Sequence, residues 1–274
     1  MKMLRTAAAA LLLTVSVVST SYAIAGIGAH WGFDLSMSME NSGEQINLNL
    51  PENPTNASLT FSRENWDRSV INFGGKAYID IIPIIDAIEI SCNFGLWNYD
   101  GALNFKSDAG NIAIPLGLKD VGLNYMGLDK TPYMKLHLDA TIRKNLFKFP
   151  PVLNIIKLNA GAGASAHFAT PVLNGKMIED IATKNNFDLS ALVEPNSDAS
   201  KNFAKAVVQK IIDESLSEPV FGMHLLLGTQ IKLPIIPVGI YVDGKFMIPF
   251  SKFDEHADLK GMGFLVNTGI SLSF

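Results

Sequence analysis

The chain has 274 residues, is 48% apolar, and carries 22 Lys and Arg against 26 Asp and Glu, a net charge of −4. That balance does not supply the basic face a nucleic-acid partner needs. The single thiol, Cys92, rules out an intramolecular disulfide and a Cys-rich metal site.

The first segment, MKMLRTAAAALLLTVSVVSTSYA, has Lys2 and Arg5 ahead of an apolar stretch from Ala7 to Val18. Ser21-Tyr22-Ala23 then puts small residues at −3 and −1 of a cut after Ala23. This layout predicts a secretory signal peptide over 1–23, with a cut after Ala25 as the alternative. The apolar stretch is too short for a helix across a bilayer, which takes about 20 residues. No later segment is long enough for one either. An exported, apolar chain without a spanning helix is either a soluble exported β protein or a transmembrane β-barrel occupying 24–274.

From there the chain alternates with period two, apolar on one face and polar on the other. In 27–39, Ile27, Trp31, Phe33 and Leu35 oppose His30 and Asp34. In 70–82, Ile71, Phe73, Ala77 and Ile79 oppose Lys76 and Asp80. In 87–98, Ile88, Ile90 and Phe94 oppose Glu89, Ser91, Asn93 and Trp97. In 132–143, Met134, Leu136, Leu138 and Ile142 oppose Lys135, His137, Asp139 and Arg143. In 155–169, Ile156, Leu158 and Phe168 oppose Lys157 and His167. In 219–233, Phe221, Leu225 and Ile231 oppose His224 and Lys232. In 237–248, Ile240, Val242 and Phe246 oppose Asp243 and Lys245. The closing run, 262–274, sets Phe264, Val266, Ile270, Leu272 and Phe274 against Asn267 and Ser271.

Eight strands of this length exceed the usual mode of about 5–6 residues and suit a bilayer crossing of about 9–11. Between them the connections 40–69, 99–131, 170–218 and 249–261 are long, while 83–86, 144–154 and 234–236 are short. Strict alternation of long and short connections is the pattern of an up-and-down barrel with outer loops and periplasmic turns. Pro83 and Pro234 suit tight reversals. Segments 45–50, 57–61 and 110–126 also alternate; they either extend the barrel wall beyond the membrane or raise the count to ten. Loop 170–218 reads as helical, with one helix at about 174–185 and another capped by Asp198 that carries Phe203, Val207, Val208 and Ile211 as a stripe.

With these residues in place, the chain resembles the Gram-negative outer-membrane β-barrel class, and among its members the small OmpA/OmpX-like barrels. The class commonly ends on an aromatic residue preceded by alternating apolar ones, which Phe274, Leu272, Ile270, Val266 and Phe264 match; Thr268 departs from it. The resemblance implies an all-β antiparallel barrel and an outer-membrane location. It also implies contact with lipid and lipopolysaccharide, and a C-terminal Phe274 read by the barrel-assembly machinery. The expected state is a monomer without cofactor.

The polar face gathers the candidate functional residues. His30, Asp34, Lys76, Asp80, Glu89, Lys135, His137, Asp139, Arg143, Lys157, His167, His224, Lys232, Asp243 and Lys245 all project toward the predicted lumen. Their near-equal charges predict paired networks, because an unpaired charge in such an interior is costly. In particular, Asp243 is expected to face Lys245, two residues on. Eight strands leave an interior just wide enough to be filled by side chains. Four histidines could hold a metal, but they come from four strands and nothing sets them at one depth. No G-x-S-x-G, H-E-x-x-H, phosphate-loop or C-x-x-C motif occurs. The expectation is therefore a non-enzymatic barrel acting through its long loops. The alternatives are a narrow solute channel and, third, a rim-located enzyme in which His167 is the residue to inspect.

Overall fold

The computed structural model describes residues 25–35, 42–46, 58–67, 71–80, 85–107, 110–123, 128–150, 154–185, 197–214, 219–233, 236–250 and 262–274. The expected signal peptide over 1–23, Pro83 and Pro234 lie outside the described residues. In chain order the strands are β1 (Ala25–Asp34), β2 (Ser42–Ile46), β3 (Ser58–Glu64), β4 (Ile71–Ile79), β5 (Ala87–Ser107), β6 (Gly110–Pro115), β7 (Thr131–Phe149), β8 (Ile156–Ala169), β9 (Val220–Lys232), β10 (Val238–Pro249) and β11 (Gly263–Ser273). Between β8 and β9 lie two helices, α1 (Gly175–Lys184) and α2 (Asp198–Asp213).

Eight of the strands close on themselves in the order β1-β4-β5-β7-β8-β9-β10-β11, and β11 returns to β1. Every neighbour is antiparallel. The closing seam sets Gly26 opposite Ser273 and Phe33 opposite Val266. Beyond it Ala25 N–H donates to Phe274 O at 3.1 Å, Phe274 N–H to Ala25 O at 2.9 Å, and Leu35 N–H to Phe264 O at 2.7 Å. Both ends of the seam are thus bonded.

The wall carries its apolar face outward. Trp31, Ile90 and Phe221 are each more than 60% exposed, and Phe33, Phe73, Ile142, Leu225, Leu227, Ile240 and Ile270 lie in the same belt. Exposed apolar surface this continuous is not what a water-soluble monomer presents. It is the face that hydrocarbon covers.

Strand β5 is 21 residues long and reverses its polarity along the way. Up to Leu96 its outward residues are apolar (Ile88, Ile90, Phe94) and its inward ones polar (Glu89, Ser91, Asn93). Beyond Trp97 the outward residues are Asn98, Asp100, Ala102, Asn104 and Lys106, and the inward ones are Tyr99, Leu103 and Phe105, all buried. The reversal marks where the wall leaves lipid and enters water. In that upper part β5 pairs with β3 on one side and β6 on the other, and β3 pairs with β2. The described strand portions of the three extra segments, 45–46, 58–61 and 110–115, therefore belong to wall extensions, and the closed barrel has eight strands; 47–50, 57 and 124–126 lie outside the described residues.

The extension curves over its own core. Leu59, Phe61, Leu103, Phe105, Leu116 and Leu118 pack against Ile178 of α1 and Phe203, Val207 and Ile211 of α2. Asn174 caps α1 by accepting from Met177 N–H at 2.9 Å. The cap of α2 is Ser197, which accepts from Ser200 N–H at 3.1 Å. Asp198, expected as that cap, is instead the first helical residue, where its charge complements the helix dipole. Met134, expected on the lipid face, is buried, at the point where the chain leaving β8 continues its pairing with β7. Thr170 N–H donates to Met134 O at 2.8 Å, and Met134 N–H to Thr170 Oγ1 at 2.9 Å.

If the reversal on β5 marks the edge of the lipid, arginine at two of its outward positions has opposite consequences. Ile90→Arg is expected to cost about 2–4 kcal/mol in a folding equilibrium in lipid, and Asn104→Arg less than about 1 kcal/mol. Equal costs for the two would remove the boundary from this strand.

Candidate functional site

Inside the barrel the side chains form layers, described here from the end with short turns toward the end with helices. The first holds Lys157, Lys232 and Asp80. The next is a four-residue ion cluster from four strands. Lys76 Nζ lies 2.5 Å from Asp243 Oδ2 and 3.4 Å from Glu89 Oε2. Arg143 meets Asp243 Oδ1 at 2.9 Å and pairs closely with Glu89 through Nη1. Asn159 Oδ1 accepts from the same guanidinium. Lys76 Nζ also stands 3.4 Å from the centre of the Tyr241 ring, a cation–π contact.

Above it, Lys245 Nζ donates to Asp139 Oδ2 at 2.6 Å and to Ser91 Oγ at 2.5 Å. His224 is fixed at both ring nitrogens, by Thr141 Oγ1 at 2.8 Å and Ser165 Oγ at 2.7 Å. His30 is likewise held by Tyr241 Oη at 2.8 Å and Asn93 Oδ1 at 2.6 Å. Higher still, Lys135 Nζ meets Asp34 Oδ2 at 3.0 Å, His137 Nε2 approaches the same oxygen at 3.4 Å, and His137 Nδ1 faces His167 Nδ1 at 2.6 Å. That last contact needs one Nδ1 protonated and the other not.

The lumen-facing residues expected from the sequence are therefore inside, from His30 to Lys245, and apart from Asp80 all are buried. Asp80 sits just past β4, half-buried at the turn end. One pairing differs from expectation. Asp243 does not meet Lys245; it takes Lys76 and Arg143, while Lys245 takes Asp139. Residues i and i+2 on a strand project in parallel, so their heads do not converge. Charges converge across the lumen instead.

The four histidines are distributed as two singles and one pair. Among the described residues no three His, Cys, Asp or Glu side chains form a group able to hold a metal ion. Among the described residues the hydrogen-bond partner of His167 is His137.

The alternation puts Tyr78, Asn93, Thr141, Asn159, Ser165 and Tyr241 on the lumen side but does not give their partners: Tyr78 bonds Ser273, Asn93 and Tyr241 bond His30, Thr141 and Ser165 bond His224, and Asn159 bonds Arg143. Sequence reasoning missed the interior glycines. A Cβ at Gly228 would collide with the Asp243 carboxylate and come within 2.9 Å of Asn159 Oδ1; one at Gly74 would stand 2.6 Å from His30 Nε2. Long side chains reach across only because their opposite positions are empty.

An aromatic layer closes the charged zone toward the helices. Trp66 lies 4.5 Å from Tyr99 and 5.9 Å from Tyr133, and Trp97 lies 5.8 Å from Tyr133, by ring centroids. The aliphatic core of the extension sits above it. At the opposite end, Asp86 fastens the turn before β5 to the end of β7, accepting from Asn145 N–H at 2.9 Å and facing Lys144 and Lys148 at 3.4 Å. Burial pushes the Asp86 carboxyl up, but that N–H and Lys148 outweigh it and hold the group below the usual carboxylate range.

A closed antiparallel sheet with apolar side chains outward and ionised ones inward is the architecture of the outer-membrane β-barrel. The chain has the fold of a transmembrane β-barrel, with eight strands closed on one another. No family model matches it, and no curated protein does. Among solved structures it is similar to the outer membrane protein OprG from Pseudomonas aeruginosa, over 93% of this chain and 98% of that one, at 9% identity and a TM-score of 0.35.

Asp243 is the test of the central cluster. Asp243→Ala leaves Lys76 and Arg143 sharing Glu89 in a buried site, and the expected loss is about 3–5 kcal/mol in urea unfolding from micelles. Asp100→Ala, which breaks the exposed Lys130–Asp100 pair at 3.2 Å, is expected to lose less than about 1 kcal/mol. Similar losses from the two variants would show that the cluster does not hold the barrel.

Proposed function

We propose that the protein is a closed, non-enzymatic barrel whose work is done by the helix-bearing end, which it holds outside the cell as a rigid interaction surface. The observation that carries this reading is the filled lumen: ion pairs, histidines, aromatic rings and then an aliphatic core follow one another along the axis. A solute path would have to break buried ion pairs, each costing several kcal/mol when one partner is lost. The outward placement of the helices draws support from the alternation of long and short connections and from the polar outer face of β5 beyond Trp97. Lipid and lipopolysaccharide surround the belt in this reading, Phe274 engages the assembly machinery, and the barrel works as a monomer.

Purified protein in a planar bilayer is expected to give no steady conductance. A stable, ohmic, nanosiemens-scale step from the wild type would overturn the closed lumen and make a narrow channel the better reading. An epitope tag placed between α1 and α2 is expected to bind antibody on intact cells. Binding only after the outer membrane is broken would reverse the orientation.

A further inference from the structure

We propose that the turn end of the lumen is a binding site for one small soluble oxyanion of the phosphate class. Deeper in the lumen the charges of the described strands meet in pairs. Lys76 and Arg143 meet Glu89 and Asp243, Lys245 meets Asp139, and Lys135 meets Asp34. The excess sits at the turn end, where Lys157 and Lys232 face the single carboxylate of Asp80 and neither is within ion-pair distance of it. Both lysines are 7% exposed, and Lys232 Nζ is buried without a hydrogen-bond partner among the described residues. The nearby carboxylate of Asp86 is already engaged by Lys144 and Lys148.

Lys157 lines a cavity of about 30 Å³ together with Arg143, Lys76, Asn145, Asn159 and Asp80, while Lys232 stands outside that lining. That space admits one small polyatomic ion or roughly two waters. Its donors are several and of two kinds. Lys157 brings an ammonium, and the Asn159 amide nitrogen is available because its oxygen already accepts from Arg143. A tetrahedral oxyanion has several acceptor oxygens to match them; a buried ammonium left unneutralised would be costly. Asp80 and Asn145 are half-exposed, so the cavity opens at the turn end. Ile156, Leu158 and Ile231 stand on the other side of the same wall, facing lipid, which separates the site from lipid headgroups. The ligand therefore comes from solution.

The test uses refolded full-length barrel in zwitterionic micelles, with inorganic phosphate as the probe and sodium chloride holding the ionic strength constant. The thermal midpoint of the heat-modifiable gel shift should rise with the logarithm of phosphate concentration in the wild type, as for any ligand that binds only the folded state. Lys157→Met, which removes the ammonium lining the cavity and leaves one lysine facing one aspartate, should lose that rise while still closing. Asp80→Asn, which removes the competing carboxylate, should shift the response to several-fold lower phosphate. Phosphorus NMR line broadening of the probe should follow the same order. A flat response in the wild type, or an equal one in Lys157→Met, would overturn the site and leave the cavity to water. Neither result touches the conductance of the lumen, so the two proposals fail separately.

Discussion

Closure of the sheet is the constraint on which everything else rests. In hydrocarbon an unpaired backbone N–H or C=O costs several kcal/mol, so a strand can cross only if both of its edges are bonded. The seam between β1 and β11 meets that demand along its length, from the Ala25–Phe274 bonds to the Leu35–Phe264 bond. Once eight strands have closed, the radius is fixed, and with it the volume to be filled. The interior cannot be apolar, because the outward face already spends the apolar half of the alternation. What remains for the lumen is polar, and in a narrow dry space polar means paired.

That chain of necessity explains why the lumen alternates long side chains with glycine. A single ion pair must reach across the barrel to find a charge on another strand, as Lys76 does to Asp243 and Lys245 to Asp139. Positions that such a side chain passes over cannot carry a Cβ, and Gly228 and Gly74 occupy two of them. Size, charge and vacancy are thus one design, distributed over strands that are distant in sequence.

Much of this was legible in the sequence because the physical rule involved is local. Period two in 27–39 or 219–233 assigns each side chain to lipid or lumen without any knowledge of neighbours, and His30, His224 and Lys232 fall where that rule puts them. The eight-strand count followed from eight period-two segments, and the alternation of connection lengths pointed to a barrel. Misreadings occur where a second rule intervenes. Strand β5 was expected to end at residue 98, because beyond Trp97 the apolar residues change sides as the surroundings change from lipid to water. The partner of Asp243 was misread as Lys245, since one-dimensional proximity on a strand does not bring heads together. The cap of α2 fell one residue earlier than expected, on Ser197, which has the hydroxyl and the extended backbone that a cap requires.

The partners in the lumen are also far apart along the chain. Lys76 and Asp243 are separated by 167 residues, Lys245 and Asp139 by 106, and Lys135 and Asp34 by 101. None of these pairs can form while the sheet is open, since each joins walls that face each other only in the finished cylinder. They contribute little to the speed of assembly and act afterwards, as a latch. Contacts absent from the transition state lower the unfolding rate without raising the folding rate. The charged core therefore governs how long the inserted protein persists, a matter of lifetime.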